Sequence, residues 1–362
     1  MAMINHQTIS IADMGRIIRR NIAQEKVTLV LAQIGVGKTS IVQDILKDPS
    51  LNIDYVLQLN GQTRLVDDFT GIPTAQQNPD GITTSVWANQ EEFVKIIRLA
   101  KKGIRSAIVI DEITCCSIEM SSALQSLVLE GRVGTLDLWT EYNGKIIKPA
   151  IVCMGNRPED NSNYNDLPLA FFDRVRVYEL HPSAEDVIEF SIKDGWHPLV
   201  TAYMKQFPKC ITEGFLPDQF VSFTPRSGKE LSDEEFLGDI PKDLELPIIQ
   251  SIMGSERARE YVAFRRVWTE LIPREEIYAD PTGCRLPEVN RPDLSFTLAQ
   301  SLSYFMTKEN ATKTVKYITR LDKSFANLCI SDAVKRDKAL MHNAEIKTFA
   351  LANMDVFTDL VA

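Results

Sequence analysis

The compact apolar run Val27-Thr-Leu-Val-Leu31 leads into Ala32-Gln33-Ile34-Gly35-Val36-Gly37-Lys38-Thr39-Ser40, and a helical pattern leaves over Thr39–Lys47. A strand, a turn with two glycines and a helix opening on Lys-Thr restrict the fold more than any other stretch. Glycines there let successive backbone N–H groups close on an anion, and the helix start adds partial positive charge. Residues 33–40 therefore read as a loop for nucleotide phosphates. Lys38 is placed to reach the β- and γ-phosphates, and the Thr39 hydroxyl to ligate Mg²⁺. Ala32 stands where the usual pattern has its first glycine; positive φ at that point would strain an alanine.

A second strand, Ala107-Ile-Val-Ile110, ends in Asp111 and Glu112. Behind a phosphate loop, the first acid belongs in the Mg²⁺ shell and the second polarises the attacking water. A neighbouring strand, Ile151–Met154, ends at Gly155-Asn156, whose amide is suited to orient that water. Farther on lie Asp173-Arg174-Val175-Arg176 and Thr224-Pro225-Arg226-Ser227. Taken singly these have plain readings: a Gly-Asn turn, a surface ion pair, and a helix start with proline in its first turn.

Strands and helices alternate through the first half. Asp54–Leu59, Ser106–Ile110, Ala150–Met154 and Val175–Leu180 read as strands, and Glu91–Lys102 and Ser117–Leu129 as helices. Such alternation implies a mostly parallel sheet covered on both faces. Two segments interrupt it as β-hairpins: Ile72–Ala88 around Pro79-Asp80-Gly81, and Val133–Ala150 around Asn143-Gly144 between Leu136–Glu141 and Lys145–Ile147. Asn-Gly suits the type I′ turn, which needs positive φ twice. Beyond residue 181 the pattern turns helical over Ala184–Lys193, Leu199–Phe207, Pro247–Trp268, Ser295–Met306 and Ala311–Leu328, with a linker-like Asp280–Pro292.

Composition narrows the setting. The 362 residues carry 40 Lys+Arg against 49 Asp+Glu, a net −9, which argues against nucleic-acid or anionic-membrane binding driven by net charge. The N-terminus has no apolar segment of secretory type, and no apolar run approaches a membrane span of about 18 residues. Six scattered cysteines show no CxxC pair or zinc spacing, as expected in a reduced cytosol.

In order, the phosphate loop, acidic pair, polar strand tip, Asp-Arg and Pro-Arg resemble an AAA+ ATPase of the MoxR-like, dynein-related branch found in bacterial and phage genomes. The resemblance extends through Asn60-Gly-Gln-Thr-Arg-Leu-Val-Asp67-Asp68-Phe-Thr-Gly71-Ile-Pro73, Leu127-Val-Leu-Glu-Gly-Arg132, Gly195-Trp-His-Pro198 and Met253–Phe264, and weakly through Tyr278–Pro287. It implies an α/β P-loop core with a parallel sheet and two inserted hairpins over 1–180, a helical lid over 181–270 and a helical C-terminal extension over 271–362. It implies ATP and Mg²⁺ as ligands, held by 33–40, Asp111 and Arg226. Asn156 becomes sensor 1 and Arg226 sensor 2. Arg174 becomes an arginine finger entering a neighbouring subunit's site, with Arg176 as the alternative. A homo-oligomeric, hexameric ring that remodels a protein cargo is expected, the cargo class being a von Willebrand A-domain protein. A nucleic-acid motor or loader ranks second, because Ile72–Ala88 has no Lys or Arg and Val133–Ala150 balances Lys145 and Lys148 against Asp137 and Glu141. Gly228-Lys229 departs from the tryptophan common in the family and bears on lid packing.

Overall fold

The computed structural model describes residues 8–160, 165, 167–213, 221–353 and 357; the first seven residues of the N-terminal stretch considered above lie outside them. The chain divides into two units, Met1–Pro182 and Ser183–Ala362.

The first unit runs β1 (Thr8–Ile9), α1 (Ile11–Ala23), β2 (Thr28–Ala32), α2 (Lys38–Leu46), β3 (Ile53–Asn60), α3 (Val66–Thr70), β4 (Ile72–Gln77), β5 (Thr83–Ala88), α4 (Glu91–Ala100), β6 (Arg105–Asp111) and α5 (Ile118–Glu130). It continues with β7 (Arg132–Val133), β8 (Leu136–Asp137), β9 (Thr140–Tyr142), β10 (Lys145–Ile147), β11 (Ala150–Gly155), α6 (Leu169–Phe172) and β12 (Arg176–Leu180). The sheet is parallel throughout, in the order β1-β12-β2-β11-β6-β3. The α/β class with a parallel sheet is as expected.

Alternation along the central strands divides the core by face. Leu29, Leu31, Ile108, Ile110, Ile151 and Cys153 enter one cluster, with Phe69, Phe93 and Leu124 from α3, α4 and α5. Val30, Ala107, Val109, Val152 and Met154 enter the other, with Ile18 and Ile22 of α1 and Val42 and Ile45 of α2. A strand covered on both sides needs apolar residues at every position, which is why β2, β6 and β11 read as unbroken apolar runs.

The hairpins are built differently from each other. In the first, Ile72 pairs with Ala88 and Gln77 with Thr83, and the tip turns at Gly81 with φ 82°. In the second, Asn143 and Gly144 sit at φ 49° and 74°, as a type I′ turn demands. Leu136–Glu141 is not one strand, however. Leu136-Asp137 folds back on Arg132-Val133, and only Thr140–Tyr142 pairs with Lys145–Ile147. The break has a local cause, since the Asp137 carboxylate accepts the Trp139 backbone N–H at 2.9 Å and closes a turn there.

The second unit is helical: α7 (Ala184–Lys193), α8 (Pro198–Gln206), α9 (Lys209–Thr212), α10 (Pro225–Leu237), α11 (Glu245–Met253), α12 (Ser255–Thr269), α13 (Arg274–Ala279), α14 (Pro292–Phe305), α15 (Ala311–Ile318), α16 (Lys323–Arg336) and α17 (Ala344–Ala352). It holds two apolar clusters, one around Trp196, Tyr203, Leu231 and Tyr261, the other around Leu298, Leu302, Tyr317 and Ile330. Two expected long helices are split. Gly254, at φ 81° and ψ 165°, separates α11 from α12, and Asp322 caps α16 after α15 has ended. Trp196 packs on Gly228, where a Cβ would lie 2.8 Å from its ring; an indole from α8's approach fills the space beside this glycine. Among the described residues, no helix is long and apolar enough to cross a membrane.

Candidate active site

In an open parallel sheet, ligands bind beyond the carboxyl ends of the strands, where the strand order reverses. Here that point is the end of β2, which lies between β11 and β12 although the chain leaves it for β3. The register brings four strand ends together: Asn60 is level with Asp111, and Gly155 is level with Leu31.

The phosphate loop leaves the sheet after Ala32, and its positive φ values fall at Gly35 (79°) and Gly37 (84°). Ala32 is the last residue of β2, fully buried, so its methyl group meets no left-handed backbone. The strain considered from the sequence does not arise. Gly37 is the N-cap of α2, and a Cβ there would have nothing within 4 Å, so conformation rather than crowding selects glycine.

Lys38 donates to Ala32 O, Gln33 O and Asn156 Oδ1, each at 3.0 Å. Thr39 Oγ1 donates to Asp111 Oδ2 at 2.6 Å, and Asp111 Oδ1 accepts the Glu112 backbone N–H at 2.9 Å. A hydroxyl and a carboxylate converging beside a helix N-terminus fit a Mg²⁺-nucleotide, since Mg²⁺ is usually held by one or two protein oxygens plus phosphates and water. Direct hydrogen bonds thus join Lys38 to Asn156 and Thr39 to Asp111. Gln33, Ile34, Gly35 and Val36 form the loop, and Ser40 is exposed on the first turn of α2.

Two contributors escape sequence inspection. Asn60 accepts the backbone N–H groups of Gln62 and Thr63 on its Oδ1, which turns its Nδ2 toward Glu112 Oε2 at 3.2 Å. Thr114, fully buried, accepts the Asn156 backbone N–H at 2.9 Å. The signal for both would have been the strand register, which no local pattern contains. Glu112 itself lies at φ 53° and ψ 36°, a left-handed conformation that costs a non-glycine residue about 1–2 kcal/mol. Such strain persists only where the surroundings over-determine it.

Three arginines, Arg174, Arg176 and Arg226, are the remaining candidates from the sequence. Arg174 has 60% of its side chain exposed and, among the described residues, pairs with its neighbour Asp173 at 3.9 Å. Arg176 is engaged within its own chain, donating to Asn21 Oδ1 at 2.5 Å and Gln24 Oε1 at 2.8 Å. Arg226 is exposed in the first turn of α10, after Thr224, which caps the helix by exchanging hydrogen bonds with Ser227.

No protein-family model and no curated protein matches the chain. Among solved structures it is similar to a protein of Cytophaga hutchinsonii described as a candidate ATPase, with 14% identity, 98% of this chain and 89% of that one covered, and a TM-score of 0.33. It is similar also to NtrX from Brucella abortus, solved with ADP, with 12% identity, 98% and 70% coverage, and a TM-score of 0.36. An MCM homolog from Methanopyrus kandleri is a third, with 13% identity and a TM-score of 0.28; 45% of this chain is covered, and it spans 33% of that protein.

Proposed function

We propose that the protein is an Mg²⁺-dependent AAA+ ATPase. One observation carries this reading: Lys38 and Thr39, in the first turn of α2, hydrogen-bond to Asn156 and Asp111 at the ends of the adjacent parallel strands β11 and β6, and Asp111 in turn accepts the backbone N–H of Glu112. The loop amides and Lys38 bind the β- and γ-phosphates of ATP. Thr39 and Asp111 would hold Mg²⁺, which would supply charge stabilisation to the phosphoryl oxygens. Glu112 accepts the proton of the attacking water, and Asn60 restrains that carboxylate. Asn156, already within reach of Lys38, orients the water toward the γ-phosphate.

The finer reading is a cytoplasmic, MoxR-like ring, hexameric, in which Arg174 reaches a neighbouring subunit and Arg226 closes on the nucleotide of its own. Its work is remodelling a protein partner, with a von Willebrand A-domain protein as the candidate class. Exposed apolar side chains on the two hairpins, Ile82 and Trp87 on one and Ile146 on the other, support a protein surface rather than a phosphate backbone as the contact. A nucleic-acid motor would be expected to present Lys or Arg there.

The test is phosphate release by the wild-type protein and by Glu112→Gln in Mg²⁺-ATP. Removing the base lowers the hydrolysis rate by about 10²–10⁴-fold while ATP stays bound. Unchanged turnover in Glu112→Gln would remove Glu112 as the base, and absence of both binding and turnover in the wild type would overturn the ATPase reading.

A further inference from the structure

The turn after the acidic pair is shaped toward the neighbouring strand. Glu112 O accepts the Cys115 backbone N–H at 2.9 Å, closing one 3₁₀ turn over Ile113–Cys115. That turn presents two consecutive side chains to Asn156. Thr114 Oγ1 accepts the Asn156 backbone N–H at 2.9 Å, and Cys115 Sγ lies 3.7 Å from Asn156 Nδ2. Thr114 is buried, and its contact is selective on the other side as well. A Cβ at Gly155 would lie 2.6 Å from Thr114 Cγ2 and 2.9 Å from its Oγ1. The last residue of β11 and the turn after β6 are therefore fitted to each other at contact distance.

Burial alone calls for a valine at such a position, which has threonine's shape without a polar atom. What the hydroxyl adds is one hydrogen bond to the backbone of Asn156. It fixes the residue whose side chain meets Lys38 from a turn that begins at Glu112. We propose that Thr114 is a positioning residue for hydrolysis, its hydroxyl holding the backbone of Asn156 at a set distance from the Glu112 carboxylate. The proposal rests on the ATPase reading and adds a residue to it. Thr114 is fully buried, and it acts through Asn156.

The experiment measures kcat, KM and the affinity for a fluorescent ATP analogue in Mg²⁺ buffer for Thr114→Val, Thr114→Ala and Thr114→Ser, and for Thr114→Val in an Asn156→Ala background. A misplacement near the reacting atoms lowers the rate by about 10–100-fold, so kcat falls by that factor in the valine and alanine variants. Nucleotide affinity stays within about two-fold, because the phosphate loop is untouched. Serine keeps the hydroxyl and restores most of kcat. With Asn156→Ala present, Thr114→Val costs less than about two-fold more, since residues acting as one unit are not additive. Thr114→Ala, which removes the hydroxyl without branching, serves if the valine variant does not fold. Full kcat in the hydroxyl-free variants, no rescue by serine, or an undiminished loss in the Asn156→Ala background overturns the assignment while leaving the ATPase reading in place. Absence of turnover in the wild type overturns both.

Discussion

Ala32 shows how a departure from a motif can be neutral. The loop takes its left-handed turns at Gly35 and Gly37, while position 32 still belongs to the extended strand. Restoring the glycine has nothing to relieve. Ala32→Gly is expected to leave ATP affinity within about two-fold and to lower stability by about 0.5–1 kcal/mol, because glycine gives up more backbone freedom on folding. Nucleotide titration and urea melts check both halves; a large gain in affinity would show that the loop is strained after all. Lys38 and Thr39 were legible in the sequence because they follow the glycine turn that opens α2, and Asp111, Glu112 and Asn156 because they stand at or just past the ends of apolar strands. Asn60 and Thr114 were not. Their partners lie 52 and 42 residues away, and only the pairing of β3 with β6 and of β6 with β11 brings them into reach.

Elements were legible where their cause was local. Asn143-Gly144 predicted its turn, because two positive φ values are a property of those two residues. The β7–β8 ribbon was missed because it is only four paired residues, and its Gly134 is selected by a distant neighbour: a Cβ there would lie 2.3 Å from Thr70 O. Apolar periodicity ran through Gly254 and Asp322 without registering that helix axes change at them. At the start of α8, His197 illustrates an element end with a measurable consequence. Its Nδ1 accepts the Leu199 backbone N–H at 3.3 Å, and its ring packs against Phe236 and Trp268. Burial, with some help from the charge of Arg265, pushes its pKa down to about 4. In the unfolded chain the group titrates near 6.5. The folded state therefore favours the neutral ring, and this contribution is complete above about pH 6.5, lost as pH falls from there toward about 4, and absent below. On the order of 1–3 kcal/mol is involved. Urea melts at pH 7.5 and pH 5 should show wild type losing more stability than His197→Asn; equal slopes would dissociate this histidine from the acid response.

For the whole molecule, the question is whether one chain contains a complete site. On the ATPase proposal, the residues joined near the strand ends would supply phosphate binding, a Mg²⁺ position and a base, whereas Arg174 stands exposed and Arg176 is committed to Asn21 and Gln24. That asymmetry favours Arg174 as the group offered to another subunit, and it predicts a specific kind of rescue. Arg174→Ala lacks the finger but retains its base; Glu112→Gln lacks the base but retains its finger. An arginine acting in trans is worth about 10³–10⁵ in rate, so each variant alone should be nearly inactive with ATP still bound. Mixed in equal amounts and allowed to co-assemble at random, about one quarter of the interfaces would pair an intact Glu112 with an intact Arg174 from the neighbour. Phosphate release should then reappear at about a quarter of the wild-type rate per site and rise with total protein concentration. If Arg174 serves its own chain's nucleotide, or none, the mixture shows only the sum of the two residual rates. Arg176→Ala provides the contrast: losing its bonds to α1 should lower the melting temperature of the first unit, and the variant should fail to complement Glu112→Gln any better than wild type does.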